Sequence, residues 1–339
     1  MTDLQTRAQR PFEIVLTWFT VFRSRHASWI PVFAALAILI AMFIGAQAYF
    51  GNFLTPRLIS TLLLDNAYLL ILAVGMTFVI LTGGIDLSVG SVMAFTGILG
   101  ASLVSQGVPA GVAVPLMIIS GGLVGLLIGV LVHYFDVQPF IASLVGMMLA
   151  RGLAFVVSLR SIKIEEPAIL WLQSSRFKLG DWYITPTGII ALLVVVIGVL
   201  VLQYTRFGRT IYAIGGNEQS ARLMGLPVAR TRVLVYVVSG ACAGIAGLLF
   251  TAYTAAGYSL NGIGTELDTI AAVVIGGTLL TGGSGYLVGS LVGVLVYGVI
   301  KTAISFMGVD QSWTRITIGI LLLAFVVVQR LIVRRATRH

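Results

Sequence analysis

Few side chains in this sequence can do chemistry, and most of them sit inside or beside apolar runs. LTGGIDLSVGS, Leu81 to Ser91, places one carboxylate, Asp86, and Ser88 in a glycine-rich break between two greasy segments. LLLDNAY sets Asp65 beside Asn66, NGIGTELDT carries Asn261, Glu266 and Asp268, and Arg151 and Lys301 stand singly within apolar stretches. An ionisable group inside a membrane span costs about 2.5–3.5 kcal/mol on insertion scales, so each is a functional candidate by default. A carboxylate next to an amide suits paired hydrogen bonds to neighbouring hydroxyls, as on a sugar. The alternative for Asp65 and Asn66 is an interhelical hydrogen bond. Asp86 reads equally as a gate on a pathway and as a cap, with Asp86 or Ser88 accepting from free backbone N–H groups. Glu266 and Asp268 fall near the outer end of an apolar run, where they are solvated, cap a helix or line an outer mouth with Asn261. Arg151 is expected to pair with an internal acid, and Lys301 to snorkel to the outer surface.

Other chemistries are poorly served. His26, His133 and His339 are far apart and match no metal-ligand spacing. Cys242 is alone, so no intrachain disulfide forms. There is no Ser-His-Asp arrangement, and no glycine is followed by Lys-Ser or Lys-Thr as a Walker A sequence requires. If ATP drives this chain, another polypeptide binds it.

The elements that position these residues are membrane helices. The chain has 339 residues, 58% hydrophobic and 10% charged, against about 25% charged in soluble domains. Apolar runs long enough to cross a bilayer recur throughout, and the short alternating segments of a β-barrel are absent. Ten candidate spans emerge, at 30–48, 57–81, 88–105, 109–132, 137–158, 185–204, 231–254, 268–281, 285–307 and 312–330. The formal net charge is +9, but the arginines gather in the N-terminal segment, in residues 205–231 and at the C-terminus. With ten spans all three clusters fall on one side, the positive-inside pattern. That pattern argues against nucleic acid as the reason for the charge.

The expected organisation is a cytoplasmic N-terminus over 1–29, a single transmembrane domain over 30–330 and a basic cytoplasmic tail over 331–339. PFEIVLTWFTVF, residues 11–22, reads as an interfacial helix. An outer loop covers 159–184. The inner loop, 205–231, holds a short helix over Asn217–Met224, with Asn217 as N-cap, Glu218 at the positive end, and Gly225 then Pro227 as its stop. Such a capped helix on a basic loop is a lipid-surface element or a docking element for a partner. Glycines four apart, at 121, 125 and 129, at 285, 289 and 293, and at 240 and 244, point to close helix packing.

LTGGIDLSVGS aligns without gaps to LTGGSGYLVGS at 280–290, with seven of eleven positions identical. Paired glycine-interrupted segments in two halves point to a transporter's pathway. Thr82, Gly83 and Gly84, with Thr281, Gly282 and Gly283, therefore join Asp65, Asn66, Asp86 and Ser88 as pathway candidates. The second copy lacks the acid, so the break itself does not require Asp86.

DNAYLLILAVGMTFVILTGGIDLSVGSVMAFTG, YAIGGNEQSARLMGL and ELDTIAAVVIGGTLLTGGSGYLVGS are very similar to the signatures of one family. The chain resembles the permease subunits of bacterial ABC importers of the ribose, galactose and autoinducer type, over about residues 52–329. AVGMTFVILTGGIDLSVGS, GYSLNGIGTELD and QSWTRITIGILL place the likeness nearest the galactofuranose-importer subgroup. The resemblance implies an all-α, polytopic bundle of about ten spans with a type II importer-like permease fold. It implies a heterodimer with a second, homologous permease, a periplasmic sugar-binding protein and a cytoplasmic ABC ATPase that binds ATP and Mg. The chain itself would hold no cofactor. Gly216, Asn217, Glu218, Ser220, Ala221, Arg222, Leu223, Met224 and Gly225 would form the ATPase coupling helix, which favours docking over lipid. The expected activity is alternating-access import of a monosaccharide, galactofuranose or a related furanose or pentose, across the bacterial inner membrane. The chief alternative is a stand-alone secondary transporter or channel using Asp86, Arg151 or Asp65 as a relay; a membrane-embedded enzyme is disfavoured by the missing catalytic set.

Overall fold

The structure is a computed structural model that describes residues 29–310 and 312–336. The expected interfacial helix over 11–22 and the last three residues of the basic tail lie outside these residues. Fourteen helices carry the described chain, with only two small strand pairs.

Six helices are long and apolar enough to cross a membrane: α1 (Ile30–Phe50), α5 (Ala110–Tyr134), α6 (Pro139–Val157), α8 (Pro186–Tyr204), α11 (Val228–Thr254) and α13 (Leu287–Phe306). The pair α2 (Pro56–Asp65) and α3 (Ala67–Leu81), bent by 54° at Asn66, is long and apolar enough together to count as a seventh candidate span. Shorter apolar helices are α4 (Val89–Ser105) and the first part of α14 (Ser312–Ala336). Helix α14 runs on past residue 330, so the basic segment begins as helix rather than as tail.

The loops lie at opposite ends of α8, whose 19 residues rise about 28 Å. At one end, β1 (Ile162–Lys163), α7 (Pro167–Ser174) and the antiparallel β2 (Phe177–Leu179) and β3 (Trp182–Ile184) form the hairpin face. Tyr183 ties this face to α2, its hydroxyl 2.6 Å from that of Thr61. At the other end, α9 (Arg206–Gly216) and α10 (Glu218–Leu223) form the loop face.

The eighth expected span, 268–281, is corrected. It forms only α12 (Thr265–Ile275), eleven residues and about 16 Å against a hydrocarbon core of about 30 Å. The rest of the crossing is a non-helical segment over 255–264. It starts at β4 (Ala256–Gly257), which pairs antiparallel with β1, and runs along α4: Gly257 abuts Ala101 and Gly262 abuts Gly90. Positive φ at Gly262 (72°) and Gly264 (86°) makes this backbone path accessible. Non-helical backbone at such depth is tolerated where protein buries it, and Gly257 and Ser259 are buried.

The core is α5 laid on α11. A Cβ at Gly121 or Gly125 would strike the carbonyls of Gly240 or Tyr236, and one at Gly129 would stand 2.8 Å from the Val233 backbone. The 289 and 293 positions do the same against Gly276, the C-cap of α12, and Ala272 within it. The glycine stripes therefore bring helices of this one chain into backbone contact.

Candidate functional site

The two glycine-rich breaks meet each other. Helix α3 ends at Leu81, where the Thr82 hydroxyl donates to the Val79 carbonyl at 2.8 Å and Gly83 turns at φ 79°. Helix α12 ends at Ile275, and its break turns at Gly282 (83°) and Gly283 (73°). The Gly283 amide donates to the Leu81 carbonyl at 2.9 Å, and a Cβ on Gly282 would stand 2.7 Å from the Gly83 nitrogen. Thr281 is exposed beside them. The repeat thus brings two like turns to one point.

The C-terminal end of α9 completes this junction. A Cβ on Gly215 would strike the Leu81 carbonyl and the Gly283 amide. The Tyr212 hydroxyl donates to the Gly285 carbonyl at 2.9 Å. Burial, with Tyr286 second, pushes the Tyr212 phenol up to about 12, so it keeps its proton at neutral pH. Helix α9 itself went unrecognised in the sequence, where RFGRTIYAIGG is neither long nor strongly apolar. Its signal was amphipathic spacing, with Ile211 and Ile214 buried and Arg206 and Arg209 exposed.

Beyond α9, α10 has the expected cap: Asn217 Oδ1 accepts from the Ser220 amide at 2.8 Å. Gly225 ends it at φ 73°. Ala221 is buried with Ile214 and Val228 in a small cluster that seats the helix. Glu218 holds Arg222 at 2.6 Å and Arg232 at 2.8 Å. Leu223 is 83% exposed and Met224 67%, an apolar tip directed away from the chain; Gly216 and Ser220 are exposed as well.

Asp86 is fully buried. Its Oδ1 accepts from the Ser88 amide at 2.9 Å and the Ser88 hydroxyl at 2.6 Å, and its Oδ2 from the Ser239 hydroxyl of α11 at 2.7 Å. Of the capping alternative, Asp86 does accept from a backbone N–H, that of Ser88, whereas Ser88, the N-cap residue of α4, makes no side-chain cap bond. The carboxylate closes a local turn and pins the first break to α11. Gly84 packs under Tyr236 of the same helix. Asn66, also buried, donates to the Leu62 carbonyl at 2.8 Å and packs on Gly298, so its amide stays within its own bend. Asp65, beside it, is part-exposed and lines a cavity of about 260 Å³ with Arg57 and Thr61.

On the hairpin side a polar pocket of about 380 Å³ lies between α12, α13 and α14, lined by Asp268, Tyr297, Lys301, Asp310, Thr314 and Arg315. Tyr297 donates to Asp268 Oδ2 at 3.0 Å. Lys301 lines this pocket rather than only reaching out to solvent. The Ser312 amide and hydroxyl hold the exposed Asp310 carboxyl below its ordinary range. Glu266 Oε1 accepts from the Gly264 amide at 3.2 Å at the start of α12. Arg151 donates to the backbone carbonyls of Ser259 and of Asn261, the latter at 2.8 Å. It anchors the segment over 255–264, and the acid it interacts with is Glu266, though among the described residues the two form no close ion pair. Tyr297, Tyr212 and Ser239 had no recognisable motif, because their partners are distant in sequence.

Among the described residues no group of His, Cys, Asp and Glu could hold a metal ion. The site is a set of turns, anchors and polar linings.

The family described as branched-chain amino acid transport system / permease component matches residues 58–326. The chain is 46% identical over 308 residues to the fructose import permease protein FruG of Bifidobacterium longum, covering 89% of this chain and 91% of that one. It is 44% identical over 304 residues to the inner membrane ABC transporter permease protein YjfF of Escherichia coli, covering 89% and 92%. To the ribose import permease protein RbsC of Escherichia coli it is 39% identical over 298 residues, covering 87% and 91%. No solved structure matches.

Proposed function

The chain belongs to this permease family, as a non-catalytic, multi-pass inner-membrane component of an ABC sugar importer, and on that premise we propose that its cargo is a furanose-forming monosaccharide, galactofuranose first among candidates. Fructose, ribose and L-arabinose, named for its relatives, share the ability to close five-membered rings. Galactofuranose rests on the motif likeness alone. Membership implies an ATPase and a binding protein as partners. A second, homologous permease, ATP and Mg held by the ATPase, and cytoplasmic termini complete the proposal.

The observation that carries the mechanism is the three-way contact of α9 with both glycine breaks. The exposed tip of α10, Leu223 and Met224, seats on the ATPase. Displacement of α10 moves α9, with which it shares the Ile214–Ala221 cluster. Gly215 and Tyr212 then push together on the end of α3 and on the break that joins α12 to α13. Because both helices are discontinuous, they rock without unwinding a full span. The binding protein docks on the hairpin face over 159–184, and Asp268, Lys301 and Tyr297 offer the sugar hydroxyls their first partners. Uptake of labelled galactofuranose, ribose and fructose by the reconstituted complex tests this. Transport is expected only with ATP and binding protein. Transport by the chain without an ATPase would instead establish a stand-alone carrier.

A further inference from the structure

A further cavity lies away from both the polar pocket and the breaks. It is an open groove of about 800 Å³ on the loop face, between α9 and the first turns of α11. Its floor includes Phe207, Leu226 and Leu234, and its rim carries Arg206, Arg209 and Arg230. All three arginines are exposed. Among the described residues none forms an ion pair, whereas Arg222 and Arg232 nearby are both held by Glu218. Three guanidiniums without an ion pair among the described residues, set over an apolar floor, fit an anion with a greasy body.

The depth of the groove narrows the choice. Thr205 is at once the last cap of α8 and the first of α9, accepting from the Gly208 amide at 3.2 Å. Arg206 and Phe207 therefore stand within one turn of the end of a membrane span. Helix α11 has 27 residues, about 40 Å, against a core of about 30 Å, so its ends reach the headgroup layers. Basic pockets between helices at this level take anionic headgroups, and guanidinium binds phosphate through paired hydrogen bonds.

We propose that this groove binds an anionic phospholipid, with phosphate on Arg206, Arg209 and Arg230 and the upper acyl chain along Phe207, Leu226 and Leu234. An acidic protein surface would use the rim but leave the floor empty. The site adjoins α9, so an occupied groove braces the helix that bears on both breaks. The inference rests on membrane insertion and the loop face, not on which sugar is carried.

The test uses the purified full chain in detergent with phosphatidylglycerol, cardiolipin or phosphatidylcholine, bound lipid being counted by native mass spectrometry. Wild-type protein is expected to bind the anionic lipids at least about tenfold tighter than phosphatidylcholine. The triple variant Arg206→Gln, Arg209→Gln, Arg230→Gln should lose that preference while melting at the same temperature in phosphatidylcholine. Arg209→Gln and Arg230→Gln alone should each lose a few-fold, which keeps the test open if the triple variant fails to fold. Glycerol phosphate and inorganic phosphate at equal concentration should not displace the lipid. Undiminished preference in the variants overturns the proposal, as does full displacement by either soluble phosphate. A triple variant that keeps its lipid preference but no longer retains the ATPase assigns the groove to that partner and also overturns it.

Discussion

At the scale of single residues, the buried carboxylate is a fastener. Asp86 accepts three hydrogen bonds from two serines, one of them on another helix. Leaving a buried donor without its acceptor costs about 1–3 kcal/mol. Asp86→Ala is expected to lower uptake about tenfold and reduce the melting temperature, with the complex still assembled, because Ser239 and the Ser88 amide lose their acceptor. Asp86→Asn keeps an acceptor oxygen and should fall between the two. Uptake assays at matched expression check this; unchanged kinetics in both variants would remove Asp86 from the transport cycle. The sequence revealed that this acid was unusual, since its repeat partner lacks one. It did not reveal Ser239, 153 residues away, because nothing local marks which of many small polar residues faces a given carboxylate.

At the scale of elements, the informative objects are the helices that stop short. Helix α12 is half a span, and α3 and α4 are parted by a seven-residue break. Glycine composition made the breaks legible, but the length of α12 was overestimated because the apolar run continues through Gly276 and Gly277 into Leu280. Hydropathy reports solvent preference and says nothing about where the backbone leaves the helix. Gly215→Ala is the sharpest test of the junction. The added methyl must displace the Leu81 carbonyl or the Gly283 amide, and overpacking of this kind typically costs about 1–3 kcal/mol. Uptake should drop at least about tenfold while the ATPase still co-purifies. Loss of ATPase binding instead would place the fault in α10 rather than in the junction.

At the scale of the whole molecule, close backbone packing of α5 on α11 sets the frame against which the breaks are placed. Lipid tails are as apolar as leucine, so such helices associate through contact and not through exclusion of water. Gly125→Leu drives a side chain into the Tyr236 carbonyl; it is expected to lower the melting temperature by several degrees and broaden the gel-filtration profile, whereas Gly111→Leu, with open space around it, should leave both unchanged. The sequence by itself determined the all-α membrane class, the number of apolar runs, the glycine stripes, the repeated break and the capped helix on the basic loop. Each of these follows from local composition and from spacing along a helix. Only the tertiary structure decided that the two breaks touch, that α9 bears on both, that Arg151 holds the non-helical segment before α12 and that Asp268 shares a pocket with Arg315. The physical reason is that these are contacts between elements far apart in the chain. Helix periodicity fixes which face of a helix is small or polar, but only the packed bundle fixes what that face meets.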